Sequence, residues 1–208
     1  MHRCKFSICA SSFAPIAQLD RATDYESVGQ RLNPLGRTIF FAVDKEMIHP
    51  SYRPNEYFMR RALVEAEKAF AMGETPIGAV LVIEGEIIAA AHNMRETWQD
   101  PTAHAESIVL REASARCGRW RLSDATVYVT MEPCLMCAGA LVLARIGRLV
   151  YGCRDMRAGA LGSVYDVVRD GRLNHIYPIT PGVLEDESRA VLQGFFEKLR
   201  EKERFGSV

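Results

Sequence analysis

The sequence predicts a single α/β domain, and three observations carry that prediction. A β-hairpin pattern covers residues 78–93, and a strand–helix–strand pattern over residues 125–152 implies a right-handed parallel crossover. Of the 208 residues, 48% are apolar and 25% are charged, which is typical of a globular chain with a packed core. We therefore expect helices that alternate with the strands of an open α/β sheet.

The first half of this pattern begins at Asn55. The stretch "NEYFMRRALVEAEKAFAMG" predicts an amphipathic helix that Asn55 caps and Gly73 ends. "GAVLVIEGEIIAAAHN" predicts two strands joined by a Glu-Gly turn and ending at Asn93. Residues 94–103 then form a loop, and "HAESIVLREASARCG" predicts a second helix that ends at Gly118.

The second half supplies the crossover. "ATVYVTM" and "RLVYG" predict strands, and "PCLMCAGALVLARIG" between them predicts a helix with Pro133 near its first turn. After a glycine-containing loop, "RAVLQGFFEKLREK" predicts a closing helix. Its apolar residues share one face, which we expect to be buried: Val191, Leu192, Phe195, Phe196 and Leu199.

Charge and hydropathy narrow the functional classes. The chain has 26 basic and 26 acidic side chains, so its formal charge is zero and any binding of nucleic acid must depend on a local patch. No apolar run approaches the roughly 20 residues that a membrane helix needs, so we expect a soluble protein without membrane partners.

Four residues of the types found in metal sites lie at two predicted helix starts. His104 and Glu106 begin one predicted helix, and Cys134 and Cys137 lie in the first turn of the next. Since each helix follows a strand, both starts are expected at the same edge of the sheet, where one imidazole and two thiolates can converge. Zinc accepts such a set, and three protein ligands leave a position for water, which is typical of catalytic sites.

Each residue type has a chemical reason in this arrangement. A helix start favours the thiolate form that Cys134 and Cys137 need as ligands. Glu106 is expected to be a proton carrier rather than a ligand. A purely structural site with a fourth cysteine stays open as an alternative, with Cys117 and Cys153 as candidates.

The motifs resemble a known family. His-x-Glu followed by Pro-Cys-x-x-Cys is the established signature of zinc nucleobase deaminases, and the four residues above match it. With "TPIGAVLV", "DPTAHAE", "YVTMEPCLMCAGALVLARIGRLVYGCRD", "GALGS" and "LNH" in the family's order, residues 55 to about 200 resemble the tRNA-specific adenosine deaminases of the cytidine deaminase-like superfamily. The resemblance implies a three-layer α/β/α fold with a central mixed sheet and a homodimer with one Zn²⁺ per subunit. It also implies conversion of wobble-position adenosine to inosine in a tRNA anticodon stem-loop.

The resemblance also implies site residues. His104, Cys134 and Cys137 correspond to the zinc ligands, Glu106 to the proton shuttle and Asn93 to the pocket asparagine. Further substrate contacts are implied for Asp155, Asn174 and His175, although these are equally consistent with ordinary loop polarity. A local cationic patch could come from the nearby arginines, whose alternative interpretation is a solvated surface: Arg145, Arg148, Arg154, Arg157, Arg169 and Arg172.

Two other functions compete with a cytoplasmic tRNA adenosine deaminase. One is a deaminase of free guanine, cytosine or a nucleoside, since such enzymes share the His-x-Glu and Pro-Cys-x-x-Cys elements. The other is a non-catalytic zinc module that binds RNA. The presence of Glu106 argues against the second, because a binding module does not need a proton shuttle.

Residues 1–46 are expected to lie outside the deaminase domain of residues 47–208, because they lack sustained helix or strand periodicity. A weak export or transit peptide and a disordered extension are two interpretations. The third, which we favour, is that "APIAQLDRATDYESVGQR" resembles the conceptual translation of a transfer-RNA gene region, so that Met47 is the true start.

Overall fold

The computed structural model of the chain describes residues 31–32, 38–39 and 53–205. The chain divides between residues 50 and 51 into two units. In the first, strands β1 (Arg31–Leu32) and β2 (Thr38–Ile39) pair antiparallel. The other predictions for residues 1–46, and the predicted start at Met47, lie outside the described residues.

A five-stranded mixed sheet forms the centre of the second unit. Its strands are β3 (Gly78–Ile83), β4 (Glu86–His92), β5 (Ala125–Met131), β6 (Arg148–Cys153) and β7 (Ile179–Thr180). They lie in the order β4-β3-β5-β6-β7. Strand β3 is antiparallel to β4 and β5, whereas β5, β6 and β7 run parallel. The predicted hairpin and the parallel pairing of β5 with β6 are both confirmed.

Helices cover both faces of the sheet and give three layers, as predicted. They are α1 (Pro54–Met72), α2 (Arg95–Trp98), α3 (Ala105–Cys117), α4 (Leu135–Leu143) and α5 (Glu185–Phe205). On one face, Met59 of α1 packs with Val80 of the sheet, and α5 contacts α1 and β6. On the other face, Val109 of α3 and Leu141 of α4 join the larger core around Val127. None of these helices combines the length and the apolar character that a bilayer crossing requires.

The ends of α1 follow from local sequence. Pro54 occupies the first turn, where its fixed φ and its missing N–H are compatible with a helix start. The helix therefore begins before Asn55, and the prediction that Asn55 caps it is wrong. The Asn55 Oδ1 instead accepts a hydrogen bond of 3.2 Å from the Tyr128 hydroxyl. Gly73 ends the helix as predicted, with a φ of 82°.

The hairpin places β3 directly against α1. Its turn consists of Glu84 and Gly85, whose φ angles of 51° and 82° are both positive, as a type I′ turn requires. At the other end of β3, a Cβ on Gly78 would lie 2.1 Å from the Ala62 carbonyl oxygen, so only glycine allows this approach. The Gly78 N–H donates to Thr130 Oγ1 at 3.2 Å and joins the start of β3 to the end of β5.

Strands β4 and β5 end at the same edge of the sheet. Because β3 is antiparallel to both of them, the two strands run in one direction, and their last residues flank the start of β3. Helix α3 is the next long helix after β4, and α4 follows β5, so both helices begin near this edge. The two motif-bearing helix starts are therefore neighbours, as the sequence predicts.

Two elements of the second unit were not predicted. Residues 94–103, predicted to be loop, contain the single helical turn α2. Strand β7 was missed because it is only two residues long and follows Pro178, so it offers no alternating pattern. Both are short pieces whose formation depends on tertiary contacts and not on periodicity.

Helix α5 is longer than predicted and less completely buried. It begins at Glu185, four residues before the predicted stretch. Leu192 and Phe195 are buried as predicted, and Phe195 packs edge-on against Phe70 of α1 with ring centroids 5.7 Å apart. Phe196 and Leu199 are respectively 43% and 38% exposed, so their predicted burial is wrong. The apolar face of α5 is thus wider than the surface that α1 and β6 cover.

Candidate active site

Two of the predicted metal ligands occupy equivalent positions in their helices. His104 is the N-cap residue of α3, and Cys134 is the N-cap residue of α4. Both residues have extended backbone angles, and neither side chain caps its own helix. The His104 imidazole and the Cys134 thiol point toward each other instead, so His104 is not a polar cap.

Cys137, in the first turn of α4, completes a group of three. The Nδ1 atom of His104 lies 3.7 Å from Cys134 Sγ and 3.5 Å from Cys137 Sγ. All three ligand atoms lie within 4.8 Å of one another. Tetrahedral zinc, with Zn–N bonds of about 2.05 Å and Zn–S bonds of about 2.3 Å, places nitrogen and sulfur ~3.6 Å apart. The donor set and its spacing therefore fit zinc.

The group contains three ligands, not four. Over residues 53–204, no further His, Cys, Asp or Glu joins it. Cys117 lies at the far end of α3, and the buried Cys153 Sγ donates to the Thr130 carbonyl oxygen at 3.5 Å. A closed structural site with a fourth cysteine has no support in this geometry. Three protein ligands leave one tetrahedral position for water.

The ligand side chains interact electrostatically. The hydrogen bond from Cys137, which outweighs the opposing effect of burial, lowers the pKa of Cys134 to about 4. The hydrogen bond with Cys134 raises the pKa of His104. The start of α4 adds the positive end of a helix dipole. Negative charge on sulfur is thus favoured at this position, and a divalent cation can displace the shared protons.

Glu106 lies in the first turn of α3 beside the ligand group. Its side chain is buried, with 4% of its surface exposed. Burial raises the pKa of Glu106, which is the direction that suits a carboxyl group exchanging protons near neutral pH. Glu106 is not a member of the ligand group.

Asn93 lies at the end of β4, at the same sheet edge as the ligands. It is buried, and its Nδ2 donates to Glu74 Oε2 at 3.0 Å. Its backbone N–H donates to the Ile77 carbonyl oxygen at 3.0 Å and so fixes the chain where β4 ends. Sequence reasoning missed Glu74, which lies 19 residues away and belongs to none of the chemical motifs.

A second glutamate that the motifs did not indicate is Glu132, which is buried two residues before Cys134. Its carboxylate accepts hydrogen bonds from the backbone N–H groups of Asp155, Leu161 and Ser163, at 3.2, 2.9 and 3.2 Å. The Ser163 hydroxyl also donates to it. Glu132 therefore ties the loop after β6 to the strand end that carries the cysteine motif. The only signal in the sequence was a charged residue between a buried strand and "PC".

The implied RNA contacts Asp155 and Asn174 each take part in a hydrogen bond within the protein. Asp155 Oδ1 accepts hydrogen bonds from the backbone N–H groups of Arg157 and Ala158, at 2.9 and 3.1 Å, and so closes a local turn. Asn174 is exposed, and its carbonyl oxygen accepts a hydrogen bond of 2.6 Å from the Arg145 side chain.

His175 is half-buried next to Asn174. Its Nε2 lies 2.9 Å from the Ile146 carbonyl oxygen. Because a carbonyl oxygen only accepts, Nε2 carries the proton of this bond. The contact anchors the chain after the exposed loop to the segment that follows α4.

The arginines fall into two groups. Four interact with the protein itself: Arg145 with Asn174, Arg148 with Thr180, Arg169 with Asp166 and Arg172 with Asp170. Arg154 and Arg157 are exposed, and no acidic side chain in residues 53–204 pairs with either within 4.0 Å. These two arginines flank Asp155 in the sequence.

Comparisons with known proteins agree with this geometry. Residues 53–153 match the model of the cytidine and deoxycytidylate deaminase zinc-binding region. A tRNA-specific adenosine deaminase of Bacillus subtilis (strain 168) is 50% identical over 150 residues, which cover 72% of this chain and 93% of the relative. A tRNA-specific adenosine deaminase of Haemophilus influenzae is 46% identical over 151 residues, which cover 72% and 87%.

Solved structures of a tRNA deaminase and of a guanine deaminase are also similar to this chain. A structure from a study of A-to-I editing by tRNA:A34 deaminases at the wobble position is similar with a TM-score of 0.64 and 44% identity, over 65% of this chain and 99% of that one. A guanine deaminase of Nitrosomonas europaea is similar with a TM-score of 0.57 and 25% identity, over 67% and 83%. Both likenesses support the three-layer fold, and the identity is higher for the tRNA deaminase.

Proposed function

The chain belongs to the tRNA-specific adenosine deaminase family of the cytidine deaminase-like superfamily, and from this premise we propose that it converts adenosine to inosine in tRNA. It is a zinc-dependent hydrolytic deaminase. The observation that carries the proposal is the group of His104, Cys134 and Cys137, whose ligand atoms have the spacing of zinc ligands beside the buried Glu106.

The three ligands and Glu106 divide the chemistry between them. His104, Cys134 and Cys137 would hold zinc, which would supply an activated water at neutral pH. Glu106 would take one proton from the attacking water and give it to a ring nitrogen of the adenine, and would then carry the second proton of the same oxygen to the departing amine. One water is consumed, the C6–N bond breaks, and inosine and ammonia leave.

The proposed substrate is adenosine at the wobble position of an anticodon stem-loop. A base must leave its stack to reach the metal, and unstacking costs least in an already single-stranded loop. Asn93, at the pocket edge, can meet the flipped base with an amide that both donates and accepts. Asp155, Asn174 and His175 are proposed to contact the RNA outside the pocket, where Arg154 and Arg157 add positive charge.

The assembly is proposed to be a homodimer. Three apolar side chains of α4, the helix that carries Cys137, are exposed to solvent in the single chain: Leu135 by 53%, Met136 by 37% and Leu143 by 74%. Such side chains next to an active site suit a protein–protein contact.

Residues 47–208 are proposed as the whole deaminase domain, because the tRNA deaminase relatives align over about 72–74% of this chain. The proposed location is the cytoplasm, with the tRNA substrate.

The test is deamination of a tRNA that carries adenosine at the wobble position, read as a base change after reverse transcription. Replacement of Glu106 by glutamine keeps the size of this buried side chain but removes the proton shuttle. We expect Glu106→Gln to lower the rate ~10²–10⁴-fold and to leave the zinc content unchanged. Glu112→Gln, on the same helix, is the matched control and should retain the parent rate.

Two outcomes of this experiment distinguish tRNA from a free base as the substrate. Inosine at the wobble position, made by the parent and by Glu112→Gln, supports both the reaction and the substrate. If the zinc-loaded parent makes no inosine in intact tRNA but releases ammonia from free guanine or cytosine, the tRNA proposal is wrong and the free-base alternative takes its place.

A further inference from the structure

Glu74 is a buried carboxylate that the proposed mechanism does not use. It follows Gly73 at the end of α1, and its side chain is 0% exposed. No lysine, arginine or histidine in residues 53–204 pairs with it within 4.0 Å, in contrast to the buried Glu65 of α1, which pairs with Lys68 and His92. A buried carboxylate without a cation is costly, so its position calls for a specific role.

The charge of Glu74 is stabilised by hydrogen-bond donors from Thr97 and Asn93. The Thr97 N–H donates to Oε1 at 2.6 Å, and Asn93 Nδ2 donates to Oε2 at 3.0 Å. Burial raises the pKa of Glu74, but hydrogen bonds from Thr97, Glu96 and Asn93 outweigh it and leave the pKa below its usual range. Glu74 is therefore an ionised, acceptor-only group at neutral pH.

An acceptor-only partner determines which way the Asn93 amide faces. Both carboxylate oxygens accept and neither donates, so only the Nδ2 end of Asn93 can point at Glu74. The Oδ1 end then points away from Glu74, and no group in residues 53–204 donates a hydrogen bond to it. A hydrogen-bond acceptor is thereby held at the end of β4, at the sheet edge where the metal ligands lie.

We propose that Glu74 is a positioning residue that sets the hydrogen-bond polarity of the base pocket by holding the Asn93 amide in one orientation. The inference rests on the proposed function, in which Asn93 contacts the flipped adenosine. With Oδ1 presented to the substrate, the pocket accepts a hydrogen bond from an N–H or O–H of the adenosine, and the remaining Nδ2 hydrogen is available to a ring nitrogen. Glu74 itself does not touch the substrate.

A glutamine at position 74 would reverse this polarity without changing the size of the side chain. The backbone N–H of Thr97 is a fixed donor, so the glutamine oxygen must face it. The glutamine NH₂ group then faces Asn93, which must rotate its amide and offer Oδ1 to it. The acceptor is turned away from the substrate, and a donor takes its place.

A second substitution restores the original polarity. In the double variant Glu74→Gln/Asn93→Asp, the NH₂ group of the new glutamine donates to one oxygen of the new aspartate, and the other aspartate oxygen again presents an acceptor to the pocket. In Asn93→Asp alone, two carboxylates face each other at the distance of the present hydrogen bond and repel. The order of activities among these variants therefore reports the orientation of the amide and not the volume of the side chains.

The experiment compares the parent, Glu74→Gln, Asn93→Asp and the double variant, with Glu65→Gln as a matched control for loss of another buried carboxylate. The readouts are kcat/KM for the tRNA, Kd for an anticodon stem-loop RNA, zinc content and Tm. We expect Glu74→Gln to lower kcat/KM on the order of tenfold to hundredfold. We expect the double variant to exceed both single variants in kcat/KM and in RNA affinity, and Glu65→Gln to resemble the parent. Zinc content should be equal throughout.

Three outcomes would overturn the proposal: parent-like kcat/KM in Glu74→Gln, a double variant no better than the two single ones, or a Glu65→Gln loss as large as that of Glu74→Gln. If Glu74→Gln is too unstable to purify, the comparison of Asn93→Asp with the double variant still decides the question, because only the double variant pairs its side chains correctly. Failure of the proposed function is distinguishable, since the parent itself would then make no inosine.

Discussion

The zinc centre (His104, Glu106, Cys134 and Cys137) and the β6–β7 loop (residues 154–178) are joined through Glu132, but they are built differently. The zinc centre takes its side chains from two helix starts at one sheet edge, and all of them are buried or half-buried. In the β6–β7 loop, Met156 is 73% exposed and the charged side chains pair mostly with near neighbours in sequence.

The difference teaches how the two tasks constrain a structure. A metal requires ligand positions correct to a few tenths of an ångström, which packed strands and helices provide. Attraction to an RNA backbone depends on charge over a wider surface and tolerates exposed side chains. We therefore expect substitutions in the zinc centre to abolish chemistry and substitutions in the β6–β7 loop to weaken binding by degrees.

Loss of a zinc ligand should have the largest effect. Cys134→Ser replaces a thiolate ligand by a hydroxyl that stays protonated, so zinc content should fall well below one per chain and inosine formation should become undetectable. Metal analysis of the purified protein checks this directly. Cys153→Ser is the matched control, because Cys153 is buried beside Thr130 and is not in the ligand group. It should keep its zinc; equal zinc loss in the two variants would contradict the assignment.

This part of the site could be predicted from sequence because its spacing is local. His104 and Glu106 lie two residues apart, Cys134 and Cys137 lie three apart, and each pair begins a periodic helix whose position relative to the preceding strand follows from general rules of α/β sheets. The fold was predictable for the same reason, since its long elements are strongly periodic. Within residues 53–205, only β7 and α2, which have two and four residues, gave no such signal.

The two buried glutamates beside the site, Glu74 and Glu132, could not be predicted from the sequence, because their hydrogen bonds are long-range. Glu74 meets Asn93 across 19 residues, and Glu132 meets Ser163 across 31. No period or spacing in the chain encodes those pairings, which form only when the strands are assembled. The failed prediction for Phe196 and Leu199 has a similar cause, because periodicity identifies an apolar face but not the extent of the surface that covers it.

Glu132→Gln should have the second-largest effect and tests the connection between the two regions. An amide places one NH₂ group among the four donors that now face the carboxylate, so at least one buried donor is left without an acceptor, at a cost of about 1–3 kcal/mol. We expect a lower Tm, faster proteolysis within residues 155–163 and weaker RNA binding. Zinc content should be retained.

Ser163→Ala provides the graded comparison for Glu132. It removes only the hydroxyl donor and keeps the three backbone hydrogen bonds, so its cost should be smaller, about 1 kcal/mol. Denaturant unfolding of the two variants and the parent measures both costs. If Glu132→Gln loses its zinc while the β6–β7 loop resists proteolysis as in the parent, Glu132 supports the metal site and not the loop.

Removal of one loop charge should have the smallest effect. Arg157 is exposed and has no acidic partner in residues 53–204, whereas Arg172 is already paired with Asp170. Each phosphate contact that is lost reduces the salt dependence of RNA binding, so Arg157→Ala should weaken binding a few-fold and reduce the slope of log Kd against log salt by about 1. Arg172→Ala should change the slope less, because the field of its guanidinium is partly cancelled by Asp170.

The measurement is the Kd for RNA at several salt concentrations. Each arginine variant is made together with Glu106→Gln, so that the RNA is not converted during the titration. Equal slopes for the two variants would mean that the β6–β7 loop attracts RNA only through its net charge, and that Arg157 makes no phosphate contact of its own.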